Sequence, residues 1–74
     1  MARILIIDDD QDICLLLTKY FNKKGFEANS ASNGSDAIAH LKKSPADVVL
    51  CDFKLPDYNG IEMLQKIKII KPLK

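Results

Sequence analysis

The chain has 74 residues, with 11 Lys and Arg against 10 Asp and Glu, and its formal net charge is +1. This balance argues against a generally basic nucleic-acid-binding protein and against an acidic disordered tail. Hydrophobic residues make up 47% of the chain and charged residues 28%, which is typical of a globular domain. We therefore predict one small folded domain over residues 1–74, with no direct nucleic-acid partner.

The two cysteines and the first apolar run indicate the compartment. Cys14 and Cys51 are far apart in the sequence and lie in apolar runs, which favours buried free thiols over a disulfide. The apolar run at residues 4–7 is too short for the core of a signal peptide or for a membrane span. The sequence therefore predicts a cytoplasmic protein with no membrane partner.

The first part of the chain changes from a strand pattern to a helix pattern. Residues 3–7 form a short β-branched run, which predicts a strand. The apolar residues that follow recur with helical spacing, at Ile13, Leu16, Leu17, Tyr20 and Phe21. Asp10 is placed to cap this helix, and Gly25 is placed to end it in a left-handed conformation. The pattern thus predicts one amphipathic helix between these two residues.

The alternation of strand and helix then repeats. Weak alternation of apolar and polar residues over 26–31 predicts a half-exposed strand. A second helix is expected to open at Asn33-Gly34 and to end at Ser44-Pro45. The wholly apolar residues 48–51 predict a third strand, which halts at Asp52.

A loop and a third helix complete the predicted elements. Pro56 fixes one turn of the loop, and Gly60 is expected to allow a positive φ at another, so the loop holds its backbone rigidly. The third helix is expected over about residues 61–70, stopped by Pro72. The lysines after position 65 are assigned to its polar side and its cation-rich end, not to a nucleic-acid patch.

The order of elements predicts the architecture of the sheet. A β-α-β-α-β-α chain implies a parallel sheet with right-handed crossovers. The first and third strands are expected to be buried on both faces and the polar second strand to lie at an edge, which favours the order 2-1-3. The helices then cover both faces of a doubly wound sheet, and the ligand site lies beyond the carboxyl ends of the first and third strands.

Acidic residues follow both of these strands. Asp8 and Asp9 end the first strand and Asp52 ends the third, and adjacent strands are only about 4.8 Å apart. A hard divalent cation, Mg²⁺ or Mn²⁺, would relieve the repulsion between the carboxylates, and a backbone carbonyl at Lys54 is a further candidate ligand. An aspartate in such a site is also a candidate nucleophile that forms an aspartyl-phosphate. The alternative is that these residues only cap a helix and end a strand, but their convergence favours a site.

Two segments of the sequence carry a resemblance to a known family. ILIIDDDQD, and ADVVLCDFKLPDYNG followed by IEML, resemble the receiver domain of two-component response regulators. The resemblance implies a flavodoxin-like fold, a phosphoacceptor at Asp52, and Mg²⁺ ligands at Asp8, Asp9, Asp52 and the carbonyl of Lys54. It also implies that Asp52 takes its phosphoryl group from a sensor histidine kinase or a phosphotransfer protein, and that the domain is not an enzyme.

The sequence also departs from the family pattern. Receivers have five β-α units and the sequence predicts three, so it is expected to be a receiver truncated after the third helix. The Ser or Thr that contacts the phosphoryl group and the Lys that pairs with it, both from later strands, are missing. Lys71-Pro72 follows no strand and is not a match for that lysine. Phosphoryl transfer is therefore expected to be impaired.

Two other functions remain open. The chain could be a phosphorylation-incompetent interaction fragment that self-associates through its third strand, because truncation leaves that strand as a bare edge. An aspartate-nucleophile hydrolase is disfavoured, because such phosphatases place a second Asp two residues after the nucleophile, where this sequence has Lys54.

Overall fold

The computed structural model describes residues 2–52 and 55–63, which form alternating strands and helices. In chain order the elements are β1 (Arg3–Ile7), α1 (Gln11–Lys23), β2 (Glu27–Ala31), α2 (Gly34–Lys43) and β3 (Val48–Cys51). A further helical stretch begins at residue 60 and is described to residue 63. The rest of the predicted third helix, its stop at Pro72 and the lysines after position 65 lie outside the described residues. None of the helices described in these two ranges has the length and apolar character needed to cross a membrane.

The ends of the helices follow the local signals in the sequence. The Asp10 carboxylate accepts hydrogen bonds from the backbone N–H groups of Asp12 and Ile13, as expected for the cap of α1. Gly25 has φ 95°, the left-handed conformation predicted where α1 ends. Asn33 caps α2 through a bond from the Asp36 N–H at 2.8 Å. These three predictions are confirmed. Each depends on groups only a few residues apart, so the local sequence is sufficient to predict it.

The sheet has the predicted strand order, β2-β1-β3, and both strand pairs are parallel. Ile4 lies opposite Ala28 on one side and Val48 on the other. Because side chains alternate between the faces of a strand, Ile4 and Ile6 face one layer, and Leu5 and Ile7 face the other. The doubly wound arrangement is therefore confirmed for the three strands.

Each face of β1 has its own apolar cluster. On one face, Ile4 and Ile6 pack with Cys14 of α1. On the other, the buried members are Leu5, Ile7, Ala31, Ala37, Leu41 and Met63, so α2 and the stretch at 60–63 cover this side. The two helices thus lie on opposite faces of the sheet, as predicted.

The prediction that the third strand is buried on both faces is wrong. Val48 is 46% exposed and Leu50 is 38% exposed, whereas Ile4 and Ile6 beside them on β1 are buried. The physical reason is that α1 packs over β1 and β2, so the side chains that β3 points toward this face have no described helix above them. Cys51 is likewise exposed, contrary to prediction, whereas Cys14 is buried, and both thiols are free as expected.

Candidate metal centre

The sheet itself brings the acidic residues together. The hydrogen-bond pattern continues one residue beyond the strands, where the Asp8 N–H donates to the Ala31 carbonyl at 3.1 Å and the Asp52 N–H donates to the Ile7 carbonyl at 2.8 Å. Both aspartates are therefore held by backbone bonds at the carboxyl edge of adjacent parallel strands. This edge is where doubly wound sheets bind their ligands.

Three carboxylates meet at this edge. Asp8, Asp9 and Asp52 each offer an oxygen, and these oxygens lie within 4.8 Å of one another. Asp8 and Asp52 are half-buried, and Asp9 is exposed. One Asp8 oxygen also accepts a hydrogen bond from the Asp10 N–H at 2.9 Å, which orients the carboxylate. The structure thus places close together the three acids that the strand order predicted to converge.

The chemistry of the donors suits a hard cation. All three side chains offer oxygen, and Mg²⁺ and Mn²⁺ prefer oxygen ligands. Within residues 2–52 and 55–63 the ion pair is that of Arg3 with Glu27, at the opposite end of β1, so no described lysine or arginine neutralises the three acids. The fourth predicted ligand, the carbonyl of Lys54, lies outside the described residues.

The loop after the site is held by a turn and a helix cap. The Leu55 N–H donates to the Tyr58 carbonyl at 2.9 Å, and this hydrogen bond closes a turn over residues 55–58 that contains Pro56. The prediction that Gly60 supplies a positive φ is wrong. Among the described glycines the positive φ falls on Gly25, and Gly60 instead begins the helical stretch. Its place as the first helical residue accounts for this difference.

A capping box that the prediction missed starts this helical stretch. Asn59 accepts a hydrogen bond from the Glu62 N–H at 2.8 Å, and Glu62 accepts one from the Asn59 N–H at 3.0 Å. The spacing of Asn59 and Glu62 matches the reciprocal pattern of a cap residue and an acidic residue three positions later. The letters NGIE carry this signal, but the sequence-based prediction places Gly60 in the loop and begins the third helix at about residue 61.

A second interaction could not be read from the sequence. The Asp57 carboxylate accepts hydrogen bonds from the backbone N–H groups of Gly34 at 2.7 Å and of Ser35 at 2.9 Å, and from the Ser35 hydroxyl at 2.9 Å. Desolvation acts to raise the pKa of Asp57, but these hydrogen bonds outweigh it and lower the pKa below its usual value. Asp57 is therefore ionised at neutral pH and binds the start of α2 as an anion.

The cysteines are poor candidates for chemistry at the site. The pKa of the Cys51 thiol is raised by desolvation of its sulfur and by the negative charges of Asp52 and Asp8. The residue as a whole is nevertheless exposed. The pKa of Cys14 is likewise raised, by burial and by the negative charge of Asp8. Both thiols are therefore neutral at pH 7, and a neutral thiol is a weak nucleophile.

The fold and the acidic edge define a parallel, doubly wound α/β protein whose candidate site consists of carboxylates at the switch point between adjacent strands. Comparison with known families gives a match to the response regulator receiver domain over residues 4–73. This match spans nearly the whole chain. The chain belongs to the response regulator receiver domain family.

Individual relatives agree with this assignment. The chain is 43% identical over 68 residues to sporulation initiation phosphotransferase F of Bacillus subtilis, covering 92% of this chain and 55% of that protein. It is 33% identical over 66 residues to the regulatory protein VanRc of Enterococcus gallinarum, covering 89% of this chain and 29% of that protein. The chain thus spans about half the length of the first of these relatives and less of the second.

Solved structures show the same fold. A two-component response regulator from Clostridium difficile superposes with a TM-score of 0.91 at 30% identity, covering 96% of this chain and 59% of that chain. The response regulator protein TrrA from Thermotoga maritima, solved in complex with Mg²⁺ and BeF, superposes with a TM-score of 0.86 at 32% identity, covering 96% of this chain and 62% of that chain. Both similarities support the predicted receiver-type architecture.

Proposed function

We propose that this chain is a Mg²⁺-dependent phosphoacceptor module of a phosphorelay, and that Asp52 receives the phosphoryl group from a phosphohistidine. The observation that carries the proposal is the convergence of Asp8, Asp9 and Asp52, with carboxylate oxygens within 4.8 Å and no described cation to neutralise them. The donor of the phosphoryl group is a sensor histidine kinase or a phosphotransfer protein. The family membership supports this assignment.

The transfer step follows from the chemistry of a carboxylate and a phosphorylated imidazole. An oxygen of Asp52 attacks the phosphorus, a P–O bond forms, and the P–N bond breaks with its electron pair left on the imidazole nitrogen. Asp8, Asp9 and Asp52, together with the backbone carbonyl of Lys54, would hold Mg²⁺, or Mn²⁺ in its place. When bound, the cation neutralises the phosphoryl oxygens and lowers the repulsion that Asp52 must overcome.

We also propose that transfer to these 74 residues is slow. The acidic part of the site is present, but the predicted elements include no later strand with the Ser or Thr and the Lys that the family resemblance implies. Charge stabilisation supplies most of the catalysis in phosphoryl transfer, so a site without these two groups loses much of it.

We assign the chain to the cytoplasm and class it as a stoichiometric acceptor. We do not propose that it is an enzyme, because each Asp52 takes one phosphoryl group and because Lys54 stands where aspartate-nucleophile hydrolases place their second Asp.

Binding of Mg²⁺ tests the proposal directly. In an isotope-labelled sample, we expect added Mg²⁺ to shift the amide resonances of Asp8, Asp9 and Asp52, because their oxygens form the binding site. Subsequent addition of beryllofluoride is expected to enlarge the shift at Asp52, where it takes the place of a phosphoryl group. Asp12→Asn is the matched control. It removes one negative charge, as the loss of any one of the three acids would, but from the exposed first turn of α1. Resonances near the three acids that do not respond to either addition would contradict the proposal.

A second candidate function, self-association, is favoured by the exposed third strand. Among the described residues β3 pairs with β1 on one side, and Val48 and Leu50 stay substantially exposed. An apolar edge strand is a template for pairing with another chain. We propose that two copies pair through β3, with their backbones completing the sheet.

Sedimentation velocity at tens of micromolar measures this association. We expect the wild-type chain to form a dimer and Leu50→Lys to be a monomer, because a lysine would be buried in the shared apolar layer. Asn29→Lys is the control, since Asn29 is an exposed residue of β2 at the opposite edge of the sheet. A monomeric wild-type chain at this concentration would rule out pairing through β3.

A further inference from the structure

The loop after β3 is fastened to the start of α2 by one side chain. The Asp57 carboxylate accepts hydrogen bonds from the first two N–H groups of the helix, those of Gly34 and Ser35. These residues precede Asp57 by 23 and 22 positions in the sequence. The Ser35 hydroxyl donates to the same Asp57 oxygen as the Ser35 N–H, at 2.9 Å. We refer to these three hydrogen bonds as the Asp57 clamp.

The clamp supplies what α2 lacks locally. A helix begins with N–H groups that have no partner within the helix. Asn33 satisfies the Asp36 N–H, while the Gly34 and Ser35 N–H groups are satisfied by Asp57 from the distant loop. The negative charge of a carboxylate is also favourable at the N-terminus of a helix, which is the positive end of the helix dipole. The loop and α2 therefore stabilise each other.

The position of Gly34 brings the loop close to α2. A Cβ atom at this position would meet the ring of Tyr58 and would lie 2.8 Å from the sulfur of Met63. Tyr58 and Leu55 also pack against the buried cluster beneath α2. Only a residue without a side chain permits this approach, so the turn at 55–58 is seated on α2 by packing as well as by the clamp.

The same turn adjoins the acidic site. Leu55 follows Asp52 by three positions, and a chain segment of this length reaches at most about 11 Å, so holding the turn restricts where Asp52 can lie. Asp9, Pro56 and Asp57 line a single open cleft. The clamp thus shares a cleft with Asp9 and follows Asp52 by five positions in the sequence.

We propose that Asp57 is a positioning residue of the phosphoacceptor site, because its clamp on α2 holds the turn that follows Asp52 and so keeps Asp52 aligned with Asp8 and Asp9. This inference rests on the proposed function, whose metal and phosphoryl chemistry it refines. Asp57 contacts neither the cation nor the phosphoryl group in this role. Its effect passes through the turn at 55–58 to Asp52.

The test compares Mg²⁺ affinity in three chains at a temperature where all are folded by circular dichroism. For Asp57→Ala we expect the Mg²⁺ dissociation constant to rise about tenfold, the low end of the effect seen when residues that orient metal ligands are removed. Asp57→Asn, which keeps the size and one acceptor oxygen, is expected to give a smaller rise. Asp12→Ala is the control, because Asp12 is an acidic residue in the first turn of α1 and takes no part in the clamp.

The outcomes separate the two proposals. Wild-type binding with an unchanged dissociation constant in Asp57→Ala and Asp57→Asn would overturn the positioning role and leave the proposed function standing. A wild-type chain that binds no Mg²⁺ would overturn the proposed function, and the positioning role with it. A purely structural role would lower the unfolding temperature of the variants without changing the Mg²⁺ affinity of the folded chain, and this result also counts against the inference.

Discussion

Asp52→Asn is expected to leave the chain folded and to abolish phosphoryl incorporation. The substitution keeps the size of the side chain and its place after β3, where the backbone bond from Asp52 to the Ile7 carbonyl is independent of the side chain. An amide oxygen is a far weaker nucleophile than a carboxylate, so no aspartyl-phosphate forms. The expected product in the wild-type chain is a single phosphorylated species.

Intact-mass spectrometry measures this difference. Each chain is incubated with Mg²⁺ and phosphoramidate, which carries the same P–N bond as a phosphohistidine. Asp12→Asn is the matched control, with the same change of charge at an exposed position. Incorporation into Asp52→Asn at the wild-type level would show that another residue accepts the phosphoryl group.

The same substitution is expected to weaken Mg²⁺ binding. Unit charges 4 Å apart interact by about 1 kcal/mol even in water, and the double charge of Mg²⁺ makes this about 2 kcal/mol, or about thirtyfold in affinity. A titration of the two chains would measure the ratio directly. Equal affinities would place the cation away from Asp52.

Gly34→Ala is expected to destabilise the protein, although alanine is the better helix former. Replacing a helical glycine with alanine usually stabilises by about 0.5–1 kcal/mol. Here the added Cβ would meet the Tyr58 ring, the Met63 sulfur at 2.8 Å and an Asp57 carboxylate oxygen at 3.0 Å. Overpacking of this kind costs about 1–3 kcal/mol, so the expected net loss is about 1–2 kcal/mol.

Thermal unfolding is a sensitive measure of this loss. In a domain of this size 1 kcal/mol corresponds to about 4–8 °C, so the midpoint should fall by about 5–15 °C. Ala39→Gly is the matched control, because Ala39 is an exposed residue of the same helix and its replacement reports helix propensity alone. A Gly34→Ala chain at least as stable as wild type would mean that the turn at 55–58 moves aside without cost.

Gly34→Ala and Asp57→Ala act on the same turn in different ways. The first would push Tyr58 away from α2, and the second removes the hydrogen bonds that fasten the turn. Because the two residues touch, their effects on stability should not add, and the double variant should lose less than the sum. Additive losses would indicate that packing and clamp hold the turn independently.

The strands, the ends of α1, the start of α2 and the place of the acidic site could be predicted from the sequence itself. The cap at Asp10, the left-handed Gly25 and the strand at 48–51 depend on residues within a few positions of one another, so local patterns predict them. The strand order followed from contrast in polarity, because a polar strand is stable at an edge. With that order, Asp8, Asp9 and Asp52 had to meet.

The tertiary structure decided what depends on distant segments. No local pattern pairs Asp57 with Gly34 and Ser35. The free N–H groups at the start of a helix can bond to any hydrogen-bond acceptor, and the packing of the chain determines which acceptor lies beside them. The apolar sequence of β3 predicted a buried strand, but burial depends on the helix above it, and α1 lies over β1 and β2. Sequence patterns indicate which secondary structure and which environment a residue favours. Its exposure and its long-range hydrogen bonds depend on which elements of the folded chain lie beside it.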